Sequence, residues 1–188
     1  MTRYLYLTRH GEATPDESGL SDTGRRQAAL LGKRLRGVPL TAIHHGPLPR
    51  AAETARLIGE HLPEVPLHVS EAAGDYVPYA PTRAELPPQY ADRLLAFVGQ
   101  FPGADQKLAD EALDLFTGPV DETRHELVVT HNFLAAWLVR DSQYAPPWRW
   151  LGLNHGNAAL TAIRYSPDRP PALLYFNDQG HLPHELRT

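Results

Sequence analysis

A chain of 188 residues is long enough for one well-cored domain and short for two. Its 42% hydrophobic and 21% charged residues are ordinary for a globular protein, and a net charge of −4 gives no basic footprint for a nucleic-acid polymer or an anionic membrane surface. Cysteine is absent, which removes disulfides, thiolate nucleophiles and cysteine-ligated zinc together.

The run Arg3 to Thr8 is rich in strand-forming residues and delivers Arg9, His10 and Gly11 in succession, with the glycine ending it. Its apolar stretch is broken by Arg9 and is too short for a signal segment or a membrane span, so the cytoplasm is the expected location. Lys33 and Lys107 are the only lysines; with 18 prolines and many alanines, this usage hints at a bacterial source. A polar loop, Glu12 to Gly19, leads to a helix start capped by Ser21 or Asp22, whose apolar face carries Ala28, Leu31 and Leu35. A second strand is expected over 40–44, a turn at Gly46-Pro47, a second helix over 49–62 and a short strand over 67–70.

This β-α-β-α-β order predicts a mostly parallel sheet with helices on both faces, a three-layer α/β/α architecture. The alternation then breaks. Residues 72–88 read as a loop rich in glycine, proline and tyrosine, followed by helices over 90–101 and 104–116. The excursion of about 72–119 is expected to cover the active-site edge of a single domain spanning 1–188. A buried strand over 126–130, a helix from Phe133 to about Arg140, a rigid loop at Pro146 to Trp150 and two final strands complete the chain. The carboxyl ends of parallel strands lie at one edge, where ligands collect. Arg9, Arg50, Glu71 and His131 all follow strands or adjoining turns, so they can converge with His10 into a pocket for a dianionic phosphate.

Thr8 to Glu12 resembles the signature of the histidine phosphatase (phosphoglycerate mutase-like) superfamily. Three further segments, Leu20 to Ala28, Gly46 to Ala55 and Val128 to His131, are similar to that family's motifs in the same order. Asn157 to Ile163 with Asn177 to Leu182 resemble its final strands. The resemblance implies that His10 is the nucleophile that becomes phosphorylated, and that Arg9, Arg50 and His131 bind the phosphoryl oxygens. Forked guanidiniums suit that task without a metal or other cofactor. The departing alkoxide needs a proton. The resemblance implies Glu71 as its donor, with Asp75 as the rival.

His45 and Tyr76 are candidate pocket residues beside Asp75, and a structural role is the bland alternative for each. Tyr79, Trp148, Trp150 and His155 could wall the substrate's organic part or simply pack, and Arg149 could contact an anion or solvent. No zinc-ligand spacing occurs. The expected activity is a phosphomonoester hydrolase acting on small metabolites such as nucleotides or sugar phosphates. Its short first loop and brief tail make a poor lid for a phosphoglycerate mutase, the first alternative. A phosphoprotein or phosphohistidine phosphatase and a non-catalytic phospho-ligand module are further alternatives. No membrane partner is expected, and a homodimer is left open.

Overall fold

A computed structural model describes residues 1–188. Six strands form one mixed sheet in the order β3-β2-β4-β1-β5-β6. They are β1 (Arg3–Arg9), β2 (Ala42–His45), β3 (Leu67–Val69), β4 (Arg124–Thr130), β5 (Leu160–Ser166) and β6 (Arg169–Asp178). The first four run parallel; β5 and β6 add an antiparallel edge beside β1. The helices are α1 (Asp22–Leu35), α2 (Pro49–Gly59), α3 (Ala91–Val98), α4 (Gln106–Phe116) and α5 (Asn132–Ser142).

The pleat sorts the central strands between two cores. Leu5 and Leu7 of β1, with Val128 of β4, face a cluster that includes Phe116 of α4 and Leu134, Trp137 and Leu138 of α5. Tyr6, Leu127 and Val129 face the opposite way, onto Leu31 and Leu35 of α1 and Ala51, Ala55 and Ile58 of α2. The sheet is therefore sandwiched as expected. α1 follows β1 onto one face and α5 follows β4 onto the other. Because β1 and β4 are neighbours, a crevice opens between their carboxyl ends, the switch point at which α/β sheets bind ligands.

Two glycines shape that crevice. A Cβ on Gly11 would lie 2.6 Å from the Gly24 carbonyl oxygen, and one on Gly24 would lie 2.1 Å from that of Glu12. The turn after β1 can thus press on the first turn of α1 only with glycine at both positions. The Ser21 hydroxyl caps α1 by accepting from the Gly24 amide at 3.0 Å. The Gln27 side chain holds the same turn, accepting from the Glu12 amide at 2.8 Å.

Between β3 and β4 the chain makes 3₁₀ turns at Glu71–Ala73 and Arg83–Glu85 before α3 and α4. Both helices are shorter than expected, which leaves Phe101, Pro102, Gly103 and Asp105 in the connection between them. No helix is long and apolar enough to cross a membrane.

Candidate active site

β1 and β4 pair in a register that places Arg9 opposite Thr130, and the His10 amide donates to the Thr130 carbonyl at 2.9 Å. His10 and His131 are thus the first residues beyond two paired strands, and the sheet forces them together. Their rings lie 5.1 Å apart, both buried. Arg50 enters from the first turn of α2, and its Nε donates to His10 Nε2 at 3.2 Å. The Thr54 hydroxyl ties that turn to the first strand. It donates to the Arg50 carbonyl at 2.7 Å and accepts from the Gly11 amide at 3.0 Å. Arg9 reaches in from β1, with one Nη donating to the His155 carbonyl at 3.1 Å.

The hydrogen bonds set the tautomer of His10. Its Nδ1 lies 2.7 Å from the Gly11 carbonyl oxygen, which can only accept, so Nδ1 carries the proton. Nε2 keeps its lone pair, and the Arg50 guanidinium points at it. Burial depresses the His10 pKa to about 3, against a smaller upward pull from the Gly11 carbonyl, and His131, Arg9 and Arg50 lower it further. Burial likewise brings His131 to about 3, with help from the two arginines. Neither ring nitrogen of His131 has a hydrogen-bond partner, although Nδ1 lies 3.5 Å from Asp75 Oδ2. Two neutral imidazoles therefore face two guanidiniums, a positively charged inner end whose carboxylate partners, Asp75 and Glu17, both approach Arg50. The start of α5 adds to it, since Asn132 and Phe133 of its first turn line the same cavity.

That cavity measures about 650 Å³ and is lined by Arg9, His10, Arg50, Asp75, Tyr76 and His131 among others. Glu71 is not among them. The chain turns at Glu71–Ala73 immediately after β3, burying Ala72 and Ala73 and leaving the Glu71 side chain in solvent. The Thr130 hydroxyl fastens this turn by donating to the Ala73 carbonyl at 2.7 Å. It is Asp75, beyond the turn, that reaches the cavity, and Oδ2 accepts from Arg50 Nη2 at 2.7 Å.

The remaining candidates divide. The Tyr76 ring lines the cavity while its hydroxyl bonds to the carbonyls of Ala72 and Leu108 at 2.8 and 3.0 Å. His45 is outside the lining, with Nδ1 2.8 Å from the Gly46 carbonyl. Trp150 is buried and donates to the Tyr79 carbonyl at 3.0 Å, and His155 packs against Phe176. Trp148 and Arg149 line a separate hollow with Tyr90 and Arg93.

Several lining residues escaped the sequence reading: Glu12, Glu17, Phe101, Asp105, Asn132, Phe133 and Asn157. Asn157 had a local signal in its place before the fifth strand, and its amide donates to the His10 carbonyl at 2.9 Å. Glu17 had none; it sits at φ 57° in a loop and its carboxylate lies 3.3 Å from Arg50 Nη1.

A profile of the histidine phosphatase superfamily (branch 1) matches residues 5–179. The chain belongs to that superfamily. Among its relatives, the mitochondrial serine/threonine-protein phosphatase Pgam5 of Caenorhabditis briggsae is 31% identical over 192 residues, covering 96% of this chain. The chain spans only 65% of that relative's length. Among solved structures of the same architecture, mycobacterial hydrolase 1 aligns with a TM-score of 0.73 at 22% identity, covering 94% of this chain and 99% of the other. Bacillus stearothermophilus YhfR aligns with a TM-score of 0.70 at 23% identity, covering 95% and 98%. These two share the fold of this superfamily member.

Proposed function

We propose that this histidine phosphatase superfamily member hydrolyses phosphomonoesters through a phosphohistidine on His10, without a metal, and acts on small phosphorylated molecules. The observation that carries the reading is the His10 tautomer: Nδ1 holds the proton, and the Nε2 lone pair is unprotonated and met only by the Arg50 guanidinium, which an arriving phosphoryl group can draw away. In the first step Nε2 attacks phosphorus and the bond from phosphorus to the ester oxygen breaks. The Gly11 carbonyl stabilises the positive charge that the ring acquires. Arg9, Arg50 and His131 donate to the three equatorial oxygens, supplying the charge stabilisation that a metal would otherwise give. Asp75 protonates the departing alkoxide. In the second step water attacks phosphorus and gives a proton to Asp75, and phosphate leaves with His10 restored.

Asp75 is assigned the acid role instead of Glu71 because its carboxylate lines the cavity and Glu71 does not. Hydrolysis is favoured over phosphoryl return to substrate by the solvent-exposed mouth, where Glu17, Phe101 and Asp105 all face water. The likeness to the serine/threonine-protein phosphatase of Caenorhabditis briggsae favours a second reading, in which a phosphorylated protein side chain is the substrate. The test is a panel of para-nitrophenyl phosphate, mononucleotides, sugar phosphates, 3-phosphoglycerate and phosphopeptides, run in excess chelator. Release of phosphate, together with an acid-labile and base-stable phosphoenzyme, is expected. Strict dependence on an added metal would overturn the mechanism.

A further inference from the structure

The phosphate end of the cavity and the rest of its lining carry opposite charge. Arg9 and Arg50 are the only arginine or lysine side chains among the lining residues, and the proposed reaction commits both to the phosphoryl group. The rest of the lining presents the carboxylates of Glu12, Glu17, Asp75 and Asp105, and those of Glu17 and Asp75 reach Arg50. Glu12 has an internal partner, since it accepts from the Ser21 hydroxyl at 2.7 Å. Glu17 is different. Its loop is pinned by a bond from the Glu17 amide to the Thr14 carbonyl at 2.9 Å and by the Thr14 and Ser18 hydroxyls on Asp16. Its side chain is 68% exposed, and its one cation is Arg50.

A phosphoryl dianion arriving at Arg50 competes with Glu17 for that guanidinium, leaving the Glu17 carboxylate to find another cation. The protein supplies none nearby in the cavity. Asp105 caps α4, its Oδ1 accepting from the Leu108 amide at 3.1 Å, and its exposed carboxylate adds a second negative charge to the same cavity. The rings of Phe101 and Phe133 line the same cavity, packed edge to face at 5.0 Å. Carboxylates together with aromatic rings form a setting that attracts an organic cation and repels an anion.

Resting on the hydrolase reading above, we propose that the preferred substrate is a phosphomonoester whose organic part carries an ammonium group. Glu17, Asp105 and the rings of Phe101 and Phe133 recognise that group, and esters bearing a second anion are rejected.

The test uses three esters of matched length: phosphoethanolamine, propyl phosphate and 3-phosphonooxypropionate. Their binding to the His10→Ala protein is measured by calorimetry, and again in the wild-type protein as competition against para-nitrophenyl phosphate. The ammonium ester is expected to bind about tenfold more tightly than the neutral one and about 100-fold more tightly than the carboxylate. The spread should shrink in about 0.5 M salt. The double variant Glu17→Gln, Asp105→Asn should bring the three esters within about threefold of one another. Equal affinities in the parent protein, or a preference for the carboxylate ester, overturn the inference. If the calorimetric ranking holds but the wild-type protein releases phosphate from no ester, para-nitrophenyl phosphate included, the ammonium site stands and the hydrolase reading falls.

Discussion

His10, Arg50 and His131 are buried and come from the end of β1, the first turn of α2 and the end of β4. Asp75, Phe101 and Asp105 are exposed to the cavity and come from the excursion between β3 and β4. His10 and His131 are positioned by the pairing of β1 with β4, and Arg50 by the first turn of α2, which the Thr54 hydroxyl ties to the Gly11 amide. The second group is held by side-chain bonds and short turns. Under the proposed mechanism the sheet edge holds the phosphoryl group and its attacking nitrogen, and the excursion holds the acid and part of the mouth that meets the leaving group. A side-chain change at the sheet edge should therefore cost rate on every substrate, whereas one in the excursion should cost rate on some substrates only.

The largest expected effect is at the sheet edge. His10→Ala removes the proposed nucleophile and should lower turnover of every phosphomonoester by about 10⁴-fold or more, with loss of the trapped phosphoenzyme. Appreciable turnover in that variant would break the comparison at its root, because the buried end would then not hold the reacting group. The next effect lies in the excursion and depends on the substrate. Asp75→Asn should slow alkyl phosphates, which need a proton on the leaving oxygen, by about 10²-fold. Para-nitrophenyl phosphate, with a good leaving group, should slow far less. Glu71→Gln should change either substrate by no more than about twofold, as for an exposed side chain outside the cavity. The reverse pattern would return the acid role to Glu71.

These two regions also differ in how legible they were. Arg9, His10 and His131 stand directly after strand-forming runs, and a parallel sheet leaves them no choice but to meet. Arg50 follows a Pro at the first position of a helix, and its placement reads from the same logic. The sandwich and the strand order's parallel part follow from the β-α-β-α-β pattern. The excursion is otherwise. Glu71 and Asp75 are four residues apart, and only the 3₁₀ turn between them decides which one faces the cavity. No periodicity encodes that turn; the Thr130 hydroxyl, far away in the chain, fastens it. Phe101 and Asp105 were expected at helix ends, but α3 stops at Val98 and α4 starts at Gln106, so both belong to the linker and reach the cavity. His45 sits where a pocket residue would be placed by strand position, yet its ring turns back onto the Gly46 carbonyl.

A pH experiment separates the two ends by stability. Burial depresses His10 and His131 to about 3 and His155 to about 4, whereas a histidine in the unfolded chain titrates near 6.5. Below that value the unfolded chain binds protons that the folded protein refuses. The folded protein therefore loses stability as pH falls from about 6.5, by up to about 1.4 kcal/mol per pH unit for each such ring. Thermal denaturation across this range should show that slope, and His131→Gln should flatten it. Inorganic phosphate should flatten it too, because an anion between Arg9 and Arg50 favours protonated His10 and His131. A slope unmoved by both changes would mean that these rings are not held neutral by their burial.

The smallest expected effect tests the link between the ends. The Tyr76 hydroxyl bonds to the carbonyls of Ala72, in the turn that precedes Asp75, and of Leu108, in the first turn of α4. Tyr76→Phe keeps the ring against the cavity and removes only this tie, at a cost of about 1 kcal/mol. For a chain of this length that corresponds to a fall in Tm of about 2–4 °C. Asp75 lies one residue from the lost hydroxyl, so alkyl phosphates should slow by a few-fold more than para-nitrophenyl phosphate. The size of that extra loss measures how much of the acid's placement comes from the excursion. A fall in Tm with no leaving-group dependence would assign its placement instead to Arg50 and to the Thr130 bond at Ala73, and so to the sheet edge after all.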